Sequence, residues 1–506
     1  MATSAVRRSP AANDSVGLVF PGGAFVRGLV WFRRDLRIHD NPALSAACRE
    51  CREIVPLFVF DEPLLQSHVF GSACVGFMLG CLDDLRRSLA ERGVSLLWRM
   101  GEPVETVLRT AQDLSVDAVY WNRDYEPAAI DRDRQTQQQL ARQGRTVKTF
   151  KDHVVFEAEE VRGLTGDPFQ RYSAYRDRWW TKWRAAAPSV LPVPAIPSVD
   201  HAAGSSLPPW PTAEALGYAS VPTWIEPGEQ AARARLQWFL KGPIHRYVSG
   251  RNLPAQDGTS KMSPHLRFGT ITTRTMVHAA LQTLSKGGPV SRADVFTWMD
   301  ELVWREFFQQ VLSAFPHVAE GPFKAKPGLP APRPAGPERD RLFAAWCQGR
   351  TGYPIVDAGM RQLNETGWMH NRVRMVAASF LVKDLRLDWQ SGERYFMEQL
   401  VDGDLAANNG NWQWCASTGT DAMQGYRIFN PTLQSAKFDP EGGYVRQYVP
   451  ELSQVPTKWI HEPALMPKEE QVRARCRIGI DYPEPIVDHR QARQEYLDLG
   501  KQKVAP

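Results

Sequence analysis

The sequence predicts an α/β domain built on a doubly wound parallel sheet, followed by a large all-helical domain. Three observations carry this. Short apolar runs alternate with amphipathic stretches through the first 150 residues, and strands separated by helices pair in parallel with both faces covered. Seven of the 24 residues from 188 to 211 are proline, which defeats helix and interior strand alike. Beyond about residue 230 strand-like runs almost vanish and helical spacing takes over.

In chain order, residues 28–32 (GLVWF), 54–60 (IVPLFVF), 94–98 (VSLLW), 118–121 (AVYW) and 146–150 (TVKTF) have the near-continuous apolar character of buried strands. Residues 42–50, 74–91 and 129–142 have helical spacing between them. The helical half is predicted at 229–240, 273–284, 293–314, 355–365, 372–385 and 394–400, with a second proline-rich loop at 327–337. This divides the chain into a disordered extension (1–27), an α/β domain (28–155), a linker (156–228), a helical domain (229–490) and a tail (491–506).

Composition is that of a soluble globular protein, 43% hydrophobic and 23% charged over 506 residues, which excludes wholesale disorder and a fibrous repeat. No run of about 18 apolar residues occurs, so no segment is expected to span a membrane. Net charge is only +5, from 61 basic and 56 acidic residues, too mild to diagnose a polyanion partner by itself. Seven cysteines are an odd number for a disulfide framework. The lone Cys48/Cys51 pair has no second pair at zinc spacing, so free thiols in a reducing cytoplasm are expected. Of 17 tryptophans, seven fall between Trp298 and Trp414.

Dinucleotide and phosphate-loop fingerprints are missing. The first strand is followed by Arg33-Arg34-Asp35-Leu36-Arg37, a polar run at the strand end where α/β sheets bind ligands. A solvated loop of Asp–Arg pairs is the better reading of it. Thr259, Ser260, Lys261, Met262 and Ser263 form a hydroxyl-rich turn ahead of Pro264, able to hold a phosphate or simply to cap a helix through Ser263. The window 231–280 holds eight Lys/Arg against the single acid Asp257, a footprint for phosphate-bearing partners. Trp298, Glu301, Arg305 and Phe308 share one helical face, with Trp304 beside Glu301. That face suits stacked bases read by a carboxylate, or a surface helix with ion pairs. Asn371, Arg374 and Met375 fall on adjoining turns, and residues 402–414 pack Asp402, Gly403, Asp404, Asn408, Trp412 and Trp414 together. No further acid lies at calcium-loop spacing; the density of glycine and amide suggests backbone drawn around a planar ligand.

These stretches, together with 29–42 (LVWFRRDLRIHDNP), 301–307 (ELVWREF) and 352–357 (GYPIVD), resemble the DNA photolyase/cryptochrome family, and within it the class I cyclobutane pyrimidine dimer photolyases. The resemblance runs from residue 28 to about 490, with the motifs in the family's order. It implies FAD in the helical domain, with Tyr247 and the turn 259–263 on its phosphates. Trp298, Arg305, Arg374, Asp402, Gly403, Asp404 and Asn408 would surround the flavin. It implies light-driven electron transfer from reduced FAD to a flipped-out dimer, with Trp304 and Trp414 sandwiching the bases and Glu301, Asn371 and Met375 completing the pocket. Arg251, Arg372, Arg427 and Lys437 become the phosphate track on damaged DNA. The protein is expected to act as a cytoplasmic monomer without metal or membrane.

Two departures bear on this. Folate-antenna members carry Asn–Glu just after Tyr–Glu, but here Tyr125-Glu126-Pro127 precedes Ala128-Ala129; the antenna, methenyltetrahydrofolate or a deazaflavin, stays open. The family's tryptophan chain for photoreduction matches Trp412 and Trp389, but its outer member is Gly336 here, leaving Trp346, Tyr353 and Tyr395 as substitutes. A blue-light sensor lacking repair activity would not need the sandwich residues, and a nicotinamide-linked flavoprotein would need a fingerprint this chain lacks.

Overall fold

The computed structural model of the chain describes residues 24–197, 209–285, 291–324, 329–422 and 427–502. Strands β1 (Phe25–Phe32), β2 (Cys51–Asp61), β3 (Leu97–Gly101), β4 (Ala118–Asn122) and β5 (Thr146–Phe150) form one parallel sheet in the order β3-β2-β1-β4-β5. Alternation along β1 sends Val30 and Phe32 into one apolar layer and Leu29 and Trp31 into the other. Helices Pro42–Glu50, Ser72–Ala90, Pro103–Asp113 and Pro127–Arg142 lie between the strands in sequence, and the order reverses between β1 and β4, the switch point of the sheet.

Several boundaries differ from expectation for identifiable reasons. β1 starts at Phe25, inside the stretch expected to be an extension, because Phe25 pairs with Cys51 and the amides of Val26 and Arg27 donate to Asp117 at 2.9 Å; residues 1–23 lie outside the described residues. β3 starts at Leu97 rather than 94, since the Val94 amide bonds back to Leu89 and closes the preceding helix. The helix Pro103–Asp113 escaped detection although Glu102 caps it through both carboxylate oxygens, at 3.1 and 2.8 Å. All seven cysteines are free, Cys48 and Cys51 among the buried ones.

Half of the expected linker is core. Helix Tyr172–Ala185 buries Trp179 and Trp183, stacked at 5.4 Å, against Phe239 and Trp298. The proline-rich connector is pinned to the α/β domain by reciprocal bonds between Asp40 and Leu191, at 3.1 and 2.9 Å. The remainder is helical, built on two apolar clusters. The stretch 372–385 forms helix Asn371–Ser379 and a π-helical turn Phe380–Asp384. Helix Leu405–Ala416 forms despite its weak helix formers. Its Gly410 lets the Phe308 ring lie directly on the backbone, where a Cβ would fall 2.1 Å from the ring. The expected tail forms helix His489–Gln502, with Ala492 and Tyr496 buried. Among the described residues no helix is long and apolar enough to cross a membrane.

The polar run after β1 is not a solvated loop. Arg37 is 2% exposed and donates to the carbonyls of Gly269 and Asp40 and to Asp152, at 2.7, 2.6 and 2.5 Å. Arg274, from the helical half, reaches Asp40 and Asp152 at 2.9 and 2.8 Å. Arg34 pairs with Glu126 and Asp404. Gly269, at φ +61°, packs so tightly on the Arg34 carbonyl that a Cβ would lie 2.0 Å from it. Buried charges require partners; here Asp404 and Arg274 supply part of them from the helical half, so the run clasps the two together.

Candidate active site

A cavity of about 500 Å³ opens in the helical half, lined by Tyr247, the turn 259–263, helix Arg292–Ala314, helix Asn371–Ser379 and helix Leu405–Ala416. Of the residues expected at the cofactor and the bases, Trp298, Glu301, Trp304, Arg305, Asn371, Arg374, Met375, Asp402, Asp404, Asn408, Trp412 and Trp414 all border it. Gly403 lies between two of them, its amide on the Leu400 carbonyl at 3.3 Å. Trp389 is buried in the neighbouring apolar cluster and does not line the cavity.

Each wall is built locally. Arg235 holds the turn by bonding the carbonyls of Ser260 (3.0 Å) and Thr259 (2.8 Å) and pairing with Asp257 at 2.7 Å. Lys261 takes a left-handed φ of +54° and also pairs with Asp257, at 2.8 Å. Ser263 begins the short helix Ser263–Arg267 rather than capping it. His370 caps helix Asn371–Ser379 through Nδ1, which accepts from the Arg372 amide at 3.2 Å. From that helix the Arg374 guanidinium spans the Asp402 carboxylate at 3.1 and 2.9 Å while its Nε donates to the Met369 carbonyl. Asn408 is fixed in the wall by donating to the Glu393 carbonyl at 3.0 Å.

Two expected cofactor residues are engaged elsewhere as well. Asp404 caps helix Leu405–Ala416, accepting from the Ala407 amide and Gln309 at 3.1 Å each, and pairs with Arg34. Burial works against its charge, but Arg34 and then Arg305 outweigh that and hold the carboxyl well below its usual range. Arg305 donates to the His153 carbonyl at 2.9 Å and to its Nε2 at 2.6 Å. Burial and the two arginines push His153 down to about 3, so the neutral ring can accept.

Glu301 forms an ion pair with Arg251, both about one-third exposed. Burial raises its pKa against the pull of Arg251. Arg251, expected on phosphate, is thus held by a carboxylate. The phosphate candidates cluster: burial together with Arg251 and Arg427 lowers the pKa of Arg372, and Arg372 and Lys437 share the Phe438 ring at 4.4 and 5.3 Å. Arg251 and Arg372 border the cavity; Arg427 is exposed and does not line it.

Sequence reasoning missed three contributors. Asn252 accepts from Arg372 at 2.6 Å. Arg267 is 7% exposed and borders the cavity, its Nη1 3.7 Å from the Glu126 carboxylate and its Nε without a hydrogen-bond partner; its place in the basic window 231–280 was its only signal. Tyr172 stacks on Trp304 at 3.5 Å, from a stretch that carried no motif.

Comparisons with known proteins place the chain in a family. Residues 28–197 match the family model described as DNA photolyase, and residues 298–502 match the FAD binding domain of DNA photolyase. The deoxyribodipyrimidine photo-lyase of a Synechococcus species is 40% identical over 494 residues, 94% of this chain and 97% of the relative. The crystal structure of a bacterial class III photolyase from Agrobacterium tumefaciens superposes with a TM-score of 0.84 at 34% identity, covering 96% of this chain and all of that one. A cryptochrome from Synechocystis superposes with a TM-score of 0.83 at 28% identity, over 94% of this chain and 99% of its own. With this identity over nearly its whole length, the chain belongs to the DNA photolyase family.

Proposed function

We propose that the chain is a light-driven deoxyribodipyrimidine photo-lyase, which binds FAD in the helical cavity and splits cyclobutane pyrimidine dimers presented to it from DNA. The supporting observation is that one cavity brings the Arg374–Asp402 pair and Asn408 together with Trp304, Trp414, Glu301, Asn371 and Met375. The fit to a dinucleotide rests on this wall: flat aromatic surfaces, the Arg235-held turn, and Arg267, whose Nε has no hydrogen-bond partner. FAD, when bound, supplies the photoexcited electron that opens the cyclobutane ring.

The chain's own groups do the rest. A dimer must leave the duplex to reach a buried site, and photolyases are among the enzymes that take their base out of the stack. Trp304 and Trp414 offer it ring faces, each stacked base being worth about 1–3 kcal/mol. Glu301, with its raised pKa, hydrogen-bonds the base edges. Arg251, Arg372, Arg427 and Lys437 neutralise the flanking phosphates. An antenna chromophore, methenyltetrahydrofolate or a deazaflavin, belongs to the same reading, and the absorption spectrum of the purified protein tells which. We read the enzyme as a cytoplasmic monomer.

The test is light-dependent loss of thymine dimers from an oligonucleotide, with the flavin reduced. Trp304→Ala is expected to weaken damaged-DNA binding by about 1–3 kcal/mol, and Glu301→Ala to lower repair more than binding. Tight FAD binding with no repair under blue or near-UV light replaces this reading with a light sensor.

A further inference from the structure

Tyr172 lies in the stretch between the two domains, yet it packs on Trp304 and bonds to groups beside the proposed lesion wall. Its ring lies parallel to the Trp304 indole, centroids 3.5 Å apart and planes 8° apart. Its hydroxyl donates to the carbonyl of Asp300, next to Glu301, at 2.8 Å. Its amide donates to the carboxylate of Asp421, in the loop after the helix that carries Trp414, at 3.1 Å. Phe307 closes the edge of both rings, at 5.9 Å from Tyr172 and 5.7 Å from Trp304.

Tyr172 is 7% exposed and does not border the cavity, whereas Trp304 is half-buried and does. The tyrosine therefore covers the back of the indole, leaving its remaining surface to the cavity. A free indole on a helix swings between rotamers, and a base that stacks on it must first immobilise it. One already sandwiched from behind has lost that freedom in folding.

We propose that Tyr172 is a positioning residue for lesion recognition: it fixes the plane of Trp304 from behind, so that the flipped dimer meets a rigid stacking face. This deepens the proposed function and rests on Trp304 stacking on the lesion. The hydroxyl and amide bonds set where the ring sits; the ring itself does the positioning. Electron transfer does not involve it.

The experiment measures affinity for an oligonucleotide with one thymine dimer and for its undamaged counterpart, using the FAD-loaded full chain and its Tyr172→Ala, Tyr172→Leu, Tyr172→Phe and Trp304→Ala variants. FAD stoichiometry and melting temperature report folding. A stacked aromatic pair corresponds to about a three- to tenfold change in affinity. Tyr172→Ala and Tyr172→Leu are expected to lose about that factor on damaged DNA only, Tyr172→Phe to retain wild-type affinity, and repair at saturating DNA to stay unchanged. Leucine keeps the core filled, so the outcome stands even where alanine impairs folding. Wild-type affinity in Tyr172→Leu alongside a weakened Trp304→Ala overturns the inference and leaves the proposed function intact. If Trp304→Ala also binds like wild type, the stacking role on which both rest is wrong. A loss in Tyr172→Phe as large as in Tyr172→Leu also overturns it, because the hydroxyl rather than the ring would then matter.

Discussion

Two places in this molecule gather arginine, aspartate and amide groups at similar density, and only one stays open. At the switch point of the sheet, Arg33, Arg34, Asp35, Asn122, Asp124, Asp152 and His153 surround about 10 Å³. Their charges answer one another: Arg33 with Asp133, Arg34 with Asp404 and Glu126, Arg37 with Asp152. In the helical half the cavity holds about 500 Å³, and its charges are answered only in part. Arg372 bonds a neutral carboxamide, and the Nε of Arg267 has no hydrogen-bond partner. Charge density alone does not mark a ligand site. A closed polar network is architecture, while groups left short of partners among aromatic rings await a ligand.

The largest expected effect breaks the closed network. Arg37→Met leaves Asp152 with one of its two arginines, leaves the Asp40 carbonyl to Arg274 alone and strips the Gly269 carbonyl of its donor. Removing one partner of a buried pair costs about 3–5 kcal/mol, read as a fall in the denaturant midpoint. Arg251→Met, in the one-third exposed cavity pair, is expected to cost less than about 1 kcal/mol and to act on DNA binding instead. Equal losses of stability in the two variants dissolve the distinction between clasp and cavity.

Helix Arg292–Ala314 repeats the contrast within itself. Glu301 faces the cavity with an arginine partner, whereas Glu306 faces the core and receives only neutral donors: the Val155 amide at 2.6 Å and the Trp179 indole at 2.8 Å. Burial pushes Glu306 up to about 7. A carboxyl raised in the folded state contributes stability that is complete below its unfolded pKa and is lost as pH rises through the folded value. Stability is therefore expected to fall by about 3 kcal/mol between about pH 4.5 and 7 on account of this group. The difference between the wild-type and Glu306→Gln melting curves across that range isolates it; a difference independent of pH rejects the assignment.

How much of this was legible depended on the kind of signal. Apolar runs marked β1, β2 and β4 because parallel strands buried on both faces leave no polar period to confuse, whereas the edge strands β3 and β5 are only partly buried. The cavity wall was legible from residue types placed at helical spacing. The clasp was not: Arg33 to Arg37 look the same in solvent or buried, and what decides is Arg274 and Asp404, more than 200 residues away. Tyr172 was invisible for a similar reason. Its role comes from which ring it packs against, and no local pattern encodes a long-range stack. Helix Leu405–Ala416 was hidden by composition, since its glycine serves contact with Phe308 rather than propensity.

A smaller effect concerns the rim. Binding of damaged DNA is expected to weaken as salt rises, and each of Arg251, Arg372, Arg427 and Lys437 removed should lower the slope of log K against log salt by about 0.9 on duplex DNA. Arg37→Gln, in the clasp, should leave the slope unchanged wherever it stays folded. Titrations at several salt concentrations separate the two; an affinity indifferent to salt makes the rim a solvated face.

The smallest effect falls on repair itself, and it concerns Gly336. On the proposed reading, photoreduction would leave a hole on Trp412 that has to move outward before it recombines, and glycine at 336 offers no oxidisable ring. The structure sets Trp346 against Trp412 at 6.1 Å, and Tyr395 against Trp346 at 5.8 Å. Tyr395 is half-buried and hydrogen-bonded to Asn364 at 2.7 Å, which places it nearer solvent than the buried Trp346. Tyr353 packs instead on Phe380 at 4.9 Å, off this line. The route Trp412, Trp346, Tyr395 is therefore expected to carry the hole alongside, or in place of, Trp389. Transient absorption from oxidised flavin checks it: Trp346→Phe should cut the yield of long-lived reduced flavin, Tyr395→Phe should shorten its lifetime, and Tyr353→Phe should change neither. If only Trp389→Phe has an effect, the ring contact at Trp346 is packing alone. Repair by enzyme already reduced should survive all four changes, because the splitting electron then comes from the cofactor and no hole has to leave the cavity.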